Sequence, residues 1–142
     1  MAITIQTIHD DFSLLDAWED RYRYVIELGE ALPSFPEAER TPANKVPGCV
    51  SQVWLTTETG SGDNPPLTFQ GDSDAHIVRG LVAIMLALFS GRKASEILST
   101  DAEATLKALG LDEHLSPQRA NGLRSMVKRI RRDAEAALRQ TA

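Results

Sequence analysis

The feature that most constrains the fold is one helix-length segment that is apolar on nearly every side. It runs from Asp72 or Ser73, either of which can cap a helix, to about Ser90, and Gly91 provides a C-terminal stop. A helix with apolar residues all round needs cover on every face, so this segment predicts the buried central helix of the core. Its large apolar residues are Ile77, Val78, Leu81, Val82, Ile84, Met85, Leu86, Leu88 and Phe89.

Two longer amphipathic segments predict helices that cover this central one. Residues 16–32 place apolar side chains along one face above an acidic outer face, and Asp16 is the expected N-cap. The last helix is predicted to have Pro117 in its first turn and Ser116 as its cap. Its inner stripe consists of Leu123, Met126, Val127, Ile130, Ala134 and Leu138.

Short segments predict the remaining strands and helices. Residues 50–57 alternate in the period of a strand, and residues 67–70 return as a second strand after a loop rich in Gly and Pro. Residues 44–46 are a candidate third strand. Residues 94–98 and 102–109 predict short helices.

These elements predict an α+β fold, in which a small antiparallel sheet of two to three strands packs against several helices. A chain of 142 residues fits one domain, and no repeat or linker divides it. We therefore predict a single domain over residues 1–142, with residues 1–10 as a candidate flexible N-terminus.

Composition and charge exclude several classes of protein. The net charge of −5 does not indicate a general nucleic-acid binder. The longest apolar stretch, residues 81–89, is far shorter than the ~18 residues that span a bilayer. The first six residues lack a basic region and an apolar core, so no secretory signal is expected. One cysteine cannot form an internal disulfide, and we expect a soluble, reduced, cytoplasmic protein with no membrane or nucleic-acid partner.

That single cysteine, Cys49, follows Pro47 and Gly48 at the mouth of the first predicted strand. A thiol on a turn that feeds a strand can be presented to a partner, although cysteine also packs well as an inert core residue. No base lies near it in sequence, because the three histidines, His9, His76 and His114, are scattered. A cysteine protease, which needs a positioned Cys–His pair, is therefore a poor fit.

Residues 48–54, GCVSQVW, resemble the active-cysteine signature of the SufE family of sulfur-acceptor proteins. Three further blocks resemble that family in the same order, so the resemblance spans roughly residues 18–130. The blocks are residues 18–22 with 26–29, residues 71–74 with 77–81, and residues 114–117 with Arg119 and residues 122–123.

The resemblance implies that Cys49 accepts persulfide sulfur from a partner cysteine desulfurase of the SufS type, stimulates that enzyme, and passes the sulfur on for iron–sulfur cluster assembly. It implies a downstream iron–sulfur scaffold as a second partner and leaves open whether the chain forms a homodimer. The hard chemistry would belong to pyridoxal phosphate in the desulfurase, so this chain would bind no cofactor and no metal. It would be a sulfur carrier and activator rather than a stand-alone enzyme.

Five other residues are candidates for supporting the thiol at its loop or at a partner interface. Gly48, Ser51 and Gln52 flank Cys49. Asp74 has two interpretations: it stabilises the start of the central helix, or it holds the cysteine loop. Arg119 lies near the start of the last helix, where a cation is unfavourable, and this favours a role at the site or the interface.

Other functions stay open. A sister family, CsdE, shares much of this pattern and would serve another sulfur pathway. An iron–sulfur scaffold normally needs several thiolate or imidazole ligands, which one cysteine cannot supply within one chain. A single-cysteine redox sensor or thiol peroxidase would react with peroxide without a partner. In a purely structural module, Cys49→Ser would leave every activity unchanged.

Overall fold

A computed structural model describes residues 4–48 and 51–140 of the 142-residue chain, so Cys49 and Val50 lie outside the described residues. The predicted α+β class is confirmed: seven α-helices within the described residues accompany an antiparallel sheet of order β1-β2-β3. The helices are α1 Ile5–Ser13, α2 Trp18–Glu30, α3 His76–Phe89, α4 Ala94–Ser99, α5 Ala102–Ala108, α6 Leu111–His114 and α7 Pro117–Gln140. The strands are β1 Val53–Thr59, β2 Pro66–Ser73 and β3 Arg92–Lys93, and one 3₁₀ turn covers Glu37–Glu39.

The predicted central helix is confirmed as α3, but its start differs from the predicted one. Nine of its residues are buried, including Ile84 and Met85 at 0% exposure. Residues 72 and 73 do not cap it, because they extend β2, where Asp72 pairs with Trp54 and Ser73 with Val53. The N-cap is Ala75, which makes no side-chain cap bond.

The sheet also differs from its prediction at both ends. β1 begins at Val53 rather than at residue 50, which lies outside the described residues, and β2 is longer than residues 67–70. The candidate strand at residues 44–46 is reduced to one isolated bridge between Lys45 and Trp54. The third strand is β3 instead, which pairs with Pro66 and Leu67 directly after Gly91 turns the chain at a φ of 84°.

The sequence pattern does not predict α1, and it treats residues 1–10 as a candidate flexible N-terminus. The structure builds residues 5–10 into α1, whose Ile8 and Phe12 are buried in the core. Helix α2 then begins at Trp18 with Ala17 as its N-cap, so the capping role of Asp16 is wrong. The link between the helices is instead held by Arg21, which donates to the carbonyls of Phe12 and Leu15.

Helices α2 and α3 cross at two glycines. A Cβ built on Gly80 would lie 2.0 Å from the carbonyl oxygen of Val25, and one built on Gly29 would lie 2.6 Å from the backbone nitrogen of Gly80. Such distances leave no room for any side chain, so the two helix backbones are in direct contact.

Helix α7 begins where the sequence predicts, because Ser116 Oγ accepts from the backbone N–H of Arg119 at 3.3 Å. Four of its six predicted inner residues are buried, namely Leu123, Met126, Ile130 and Ala134. Val127 and Leu138 are half-buried at the edge of the same stripe. The short helices α4 and α5 match their predictions to within one residue, whereas the four-residue α6 is not predicted by the sequence.

Candidate functional site

The chain on either side of Cys49 is held together at its base. The backbone N–H of Val46 donates to the carbonyl of Val53 at 2.8 Å, and the N–H of Leu55 donates to the carbonyl of Asn44 at 2.8 Å. Cys49 itself lies outside the described residues, but these two bonds close the segment that carries it. Its ends are therefore anchored to β1.

Gly48 enters this segment in a left-handed conformation, with φ of 83°. Non-glycine residues rarely adopt this conformation, so the choice of residue is constrained by the backbone. A Cβ built on Gly48 would also lie 2.7 Å from Ser125 Oγ on α7. The sequence identifies Gly48 as part of the family signature but gives no sign of Ser125.

Asp74 and Gln52 are joined by two hydrogen bonds. The backbone N–H of Gln52 donates to Asp74 Oδ1 at 3.0 Å, and the backbone N–H of Asp74 donates to the carbonyl of Gln52 at 3.3 Å. Asp74 is not the N-cap of α3. Of the two interpretations of Asp74, this geometry favours the one in which its carboxylate holds the segment that follows Cys49.

Ser51 and Arg119 line one cavity of about 330 Å³ between β1, α3 and the first turns of α7. Its wall combines buried apolar side chains with polar groups, and within the described residues no histidine contributes to it. The cavity is large enough for a side chain or a small ligand group. Its lining residues are Ser51, Val53, Val78, Leu81, Ser116, Gln118, Arg119, Gly122 and Met126.

Arg119 is exposed at this cavity and is oriented from α2. Its Nη1 lies 3.5 Å from the hydroxyl oxygen of Tyr22, and that hydroxyl donates to the carbonyl of His114 at 3.4 Å. The imidazole of His114 stacks on Trp18 with ring centroids 3.8 Å apart. Both Arg119 and Tyr22 make long contacts, so the positive charge of Arg119 stays available at the cavity.

A charged cluster that the sequence does not predict fixes the chain before Lys45. Asp72 accepts from Arg40 Nη2 at 2.5 Å, and the hydrogen bond raises the pKa of Arg40 above its ordinary value. Arg79 Nε lies 2.8 Å from Asp72 Oδ1, but its geometry is that of an ion pair and not of a hydrogen bond. The guanidinium of Arg40 also covers the ring of Trp54, 4.7 Å from the centroid. Asp72 therefore ties this stretch to β2 and α3, and the contact of Arg40 with Trp54 ties it to β1.

The described part of the chain has neither a metal-binding cluster nor a membrane-spanning helix. Within residues 4–48 and 51–140, no group of three or more His, Cys, Asp or Glu side chains could hold a metal ion. No helix in those residues is both long and apolar enough to cross a membrane.

Known proteins similar to this chain agree with the predicted resemblance. It is 62% identical over 136 residues to an uncharacterized SufE-like protein of Rhizobium meliloti (strain 1021), covering 95% of this chain and 97% of that one. It is 63% identical over 133 residues to an uncharacterized SufE-like protein of Rhizobium etli, covering 93% and 90%.

The fold resembles the solution structure of a hypothetical protein from Thermus thermophilus. The TM-score is 0.72, and the match covers 94% of this chain and 95% of that one. At 17% identity, this likeness shows the fold alone. The model of the SufE family, described as an Fe-S metabolism associated domain, matches residues 6–134. This chain therefore belongs to the SufE family of iron–sulfur metabolism.

Proposed function

We propose that this chain accepts persulfide sulfur on Cys49 from a partner cysteine desulfurase, stimulates that enzyme, and passes the sulfur on to an iron–sulfur scaffold. The observation that carries the proposal is the anchoring of the chain on both sides of Cys49 beside one cavity. A Cβ built on Gly48 would lie 2.7 Å from Ser125 Oγ on α7, Ser51 lines the cavity, and Gln52 is held by Asp74.

The chemistry is a thiol exchange that moves one sulfur atom from a donor cysteine to Cys49. The Cys49 thiolate attacks the terminal sulfur of the donor persulfide, a new S–S bond forms, and the donor cysteine leaves as a thiolate. Family membership implies association with a cysteine desulfurase. Pyridoxal phosphate would belong to that enzyme, and this chain would need no cofactor of its own.

The cavity suits a labile sulfur because it combines shielding with charge. Val53, Leu81 and Met126 are buried in its wall and would exclude water and stray thiols. Arg119 places a positive charge at the same cavity, which favours an anionic persulfide over a neutral one. These features support the expected roles of Ser51 and Arg119.

Replacing Asp74 by alanine is expected to raise the alkylation rate of Cys49 about twofold to tenfold, the range that corresponds to the loss of one hydrogen bond. The cause is the loss of the acceptor for the Gln52 N–H. Because the chain has one cysteine, iodoacetamide labelling followed by intact mass reads this residue alone. Asp74→Asn keeps an acceptor oxygen and should stay near the wild-type rate; equal rates for Asp74→Ala and wild type would contradict the role of Asp74.

The proposal is tested by mixing the chain with a cysteine desulfurase and L-cysteine and measuring its intact mass. We expect a gain of one sulfur atom that a reductant removes, together with faster desulfurase turnover. A reaction without L-cysteine is the control. If the chain gains no sulfur and does not stimulate any of several desulfurases, the proposal is contradicted. Faster desulfurase turnover without added sulfur would show that the chain is an activator only.

A further inference from the structure

Helix α7 concentrates the positive charge of the chain. Within Pro117–Gln140, seven residues are Lys or Arg and two are Asp or Glu, which gives this helix a net charge of +5. The whole chain has a net charge of −5, so the residues outside α7 together carry −10. The two signs of charge are therefore separated, and the excess positive charge lies on one helix.

Three of these cations form a row along the exposed side of α7. Arg124, Lys128 and Arg132 lie four residues apart, and all three are exposed. Residues with this spacing are neighbours on one side of a helix. The row is about 12 Å long, with about 6 Å between successive residues. We call these three residues the basic ridge.

Contacts within the chain compensate little of the charge on the basic ridge. Like charges four residues apart on a helix destabilise it. Arg124 pairs with Glu103 at 2.8 Å, but both side chains are more than half exposed, where an ion pair contributes little. Arg132 Nε lies 3.9 Å from Asp133 Oδ1, and Lys128 makes no ion pair within the described residues. The helix dipole favours cations only in the last turn, which lies beyond the ridge.

The face of α7 next to the basic ridge packs beside the candidate site. Arg129 Nη1 donates to the carbonyl of Ala43 at 3.4 Å, and Asp133 Oδ2 accepts from the hydroxyl of Thr57 in β1 at 2.6 Å. Arg119, which lines the cavity, precedes the ridge on the same helix. A protein that docks at the candidate site can therefore extend along the ridge.

We propose that the basic ridge is an interaction surface that docks an acidic strip of carboxylates on the partner cysteine desulfurase. The partner rests on the function proposed above, and the ridge adds the surface and the charge by which it is bound. A nucleic acid fits less well, because the charge of −10 outside α7 would repel a long polyanion. Helix α7 also contains no aromatic residue on which a base could stack.

The test compares the affinity of a cysteine desulfurase for wild type and two double variants, measured by calorimetry at low ionic strength. Lys128→Glu/Arg132→Glu reverses the ridge and should weaken binding about tenfold, with a smaller difference at high salt. Arg23→Glu/Lys107→Glu is the matched control and should bind like wild type. It changes the net charge equally, at an exposed lysine and an exposed arginine whose carboxylate partner is 3.8 Å away. Thermal melts check that both variants fold.

Equal affinities of the two double variants for the desulfurase would overturn the proposal while leaving the proposed function intact. If wild type binds no desulfurase, the proposed function fails, and a poly-L-glutamate peptide then tests the ridge alone. Binding of this peptide by wild type and the control variant, but not by the ridge variant, would still support a surface for an acidic protein.

Three results with the isolated chain would also overturn the proposal. The first is the absence of poly-L-glutamate binding by wild type. The second is tighter binding of a DNA duplex than of the peptide, which would assign the ridge to nucleic acid. The third is self-association that the ridge variant loses, which would assign the ridge to a second copy of this chain.

Discussion

Replacement of Cys49 by serine is expected to abolish sulfur uptake and to leave the fold intact. A serine hydroxyl is not ionised near neutral pH and does not attack persulfide sulfur, whereas a cysteine thiolate does. No other cysteine in the 142 residues can substitute for it. Intact mass after incubation with a desulfurase and L-cysteine measures the loss, and circular dichroism checks the fold.

Ser61→Ala is the control for this variant, because it removes one polar atom from an exposed loop between β1 and β2 and keeps the thiol. We expect it to retain sulfur uptake. A Cys49→Ser variant that still gains a reductant-sensitive sulfur would place the acceptor elsewhere.

Gly80→Ala is expected to destabilise the protein by about 3 kcal/mol or more, at the upper end of what overpacking costs. On an exposed helix the same change would stabilise by about 1 kcal/mol. Here the added Cβ would lie 2.0 Å from the Val25 carbonyl oxygen and 2.5 Å from Val25 Cγ1. A backbone atom cannot turn away, so α2 and α3 would have to separate. Urea unfolding measures the change.

The effect of Gly80→Ala should reach the candidate site, because Val78 and Leu81 on the same helix line the cavity. Gly62→Ala is the control, since its new methyl group meets nothing within 4 Å and its cost is limited to the strain of a φ of 103° in a loop. An unfolding free energy of Gly80→Ala equal to or above that of wild type would contradict the close crossing of α2 and α3.

The parts of the fold that follow from local pattern could be predicted from the sequence. The mostly apolar segment from Ile77 to Phe89 predicts a buried helix, and the structure forms that helix as α3. The pair Ser116–Pro117 carries its own start signal, and α7 begins there.

The parts of the fold that depend on contacts between residues distant in the chain could not be predicted from the sequence. Asp72 has the local pattern of a helix cap, but pairing with Trp54 keeps it in β2, and Arg40, 32 residues earlier, occupies its carboxylate. Helix α1 could not be predicted because it is short and its stability comes from tertiary packing. Its Ile8 and Phe12 are buried against the core.

The candidate site divides in the same way. Gly48, Ser51 and Gln52 lie beside Cys49 in the chain, so a local signature is sufficient to name them. Arg119 could be identified because a cation is unfavourable near the start of a helix, and it does line the cavity. The sequence predicts Met126 only as a core residue of the last helix and gives no signal for Ser125; both lie near the site because of the way α7 packs.

The most direct test of the central claim is a single-turnover transfer to Cys49. A desulfurase that already carries one persulfide is freed of L-cysteine, mixed with an equal amount of this chain, alkylated and digested with trypsin. The tryptic peptide of residues 46–79 contains the only cysteine. We predict that the donor loses its sulfur as this peptide gains an alkylated persulfide. Sulfur that stays on the donor, or that appears on any other peptide of this chain, would contradict the account.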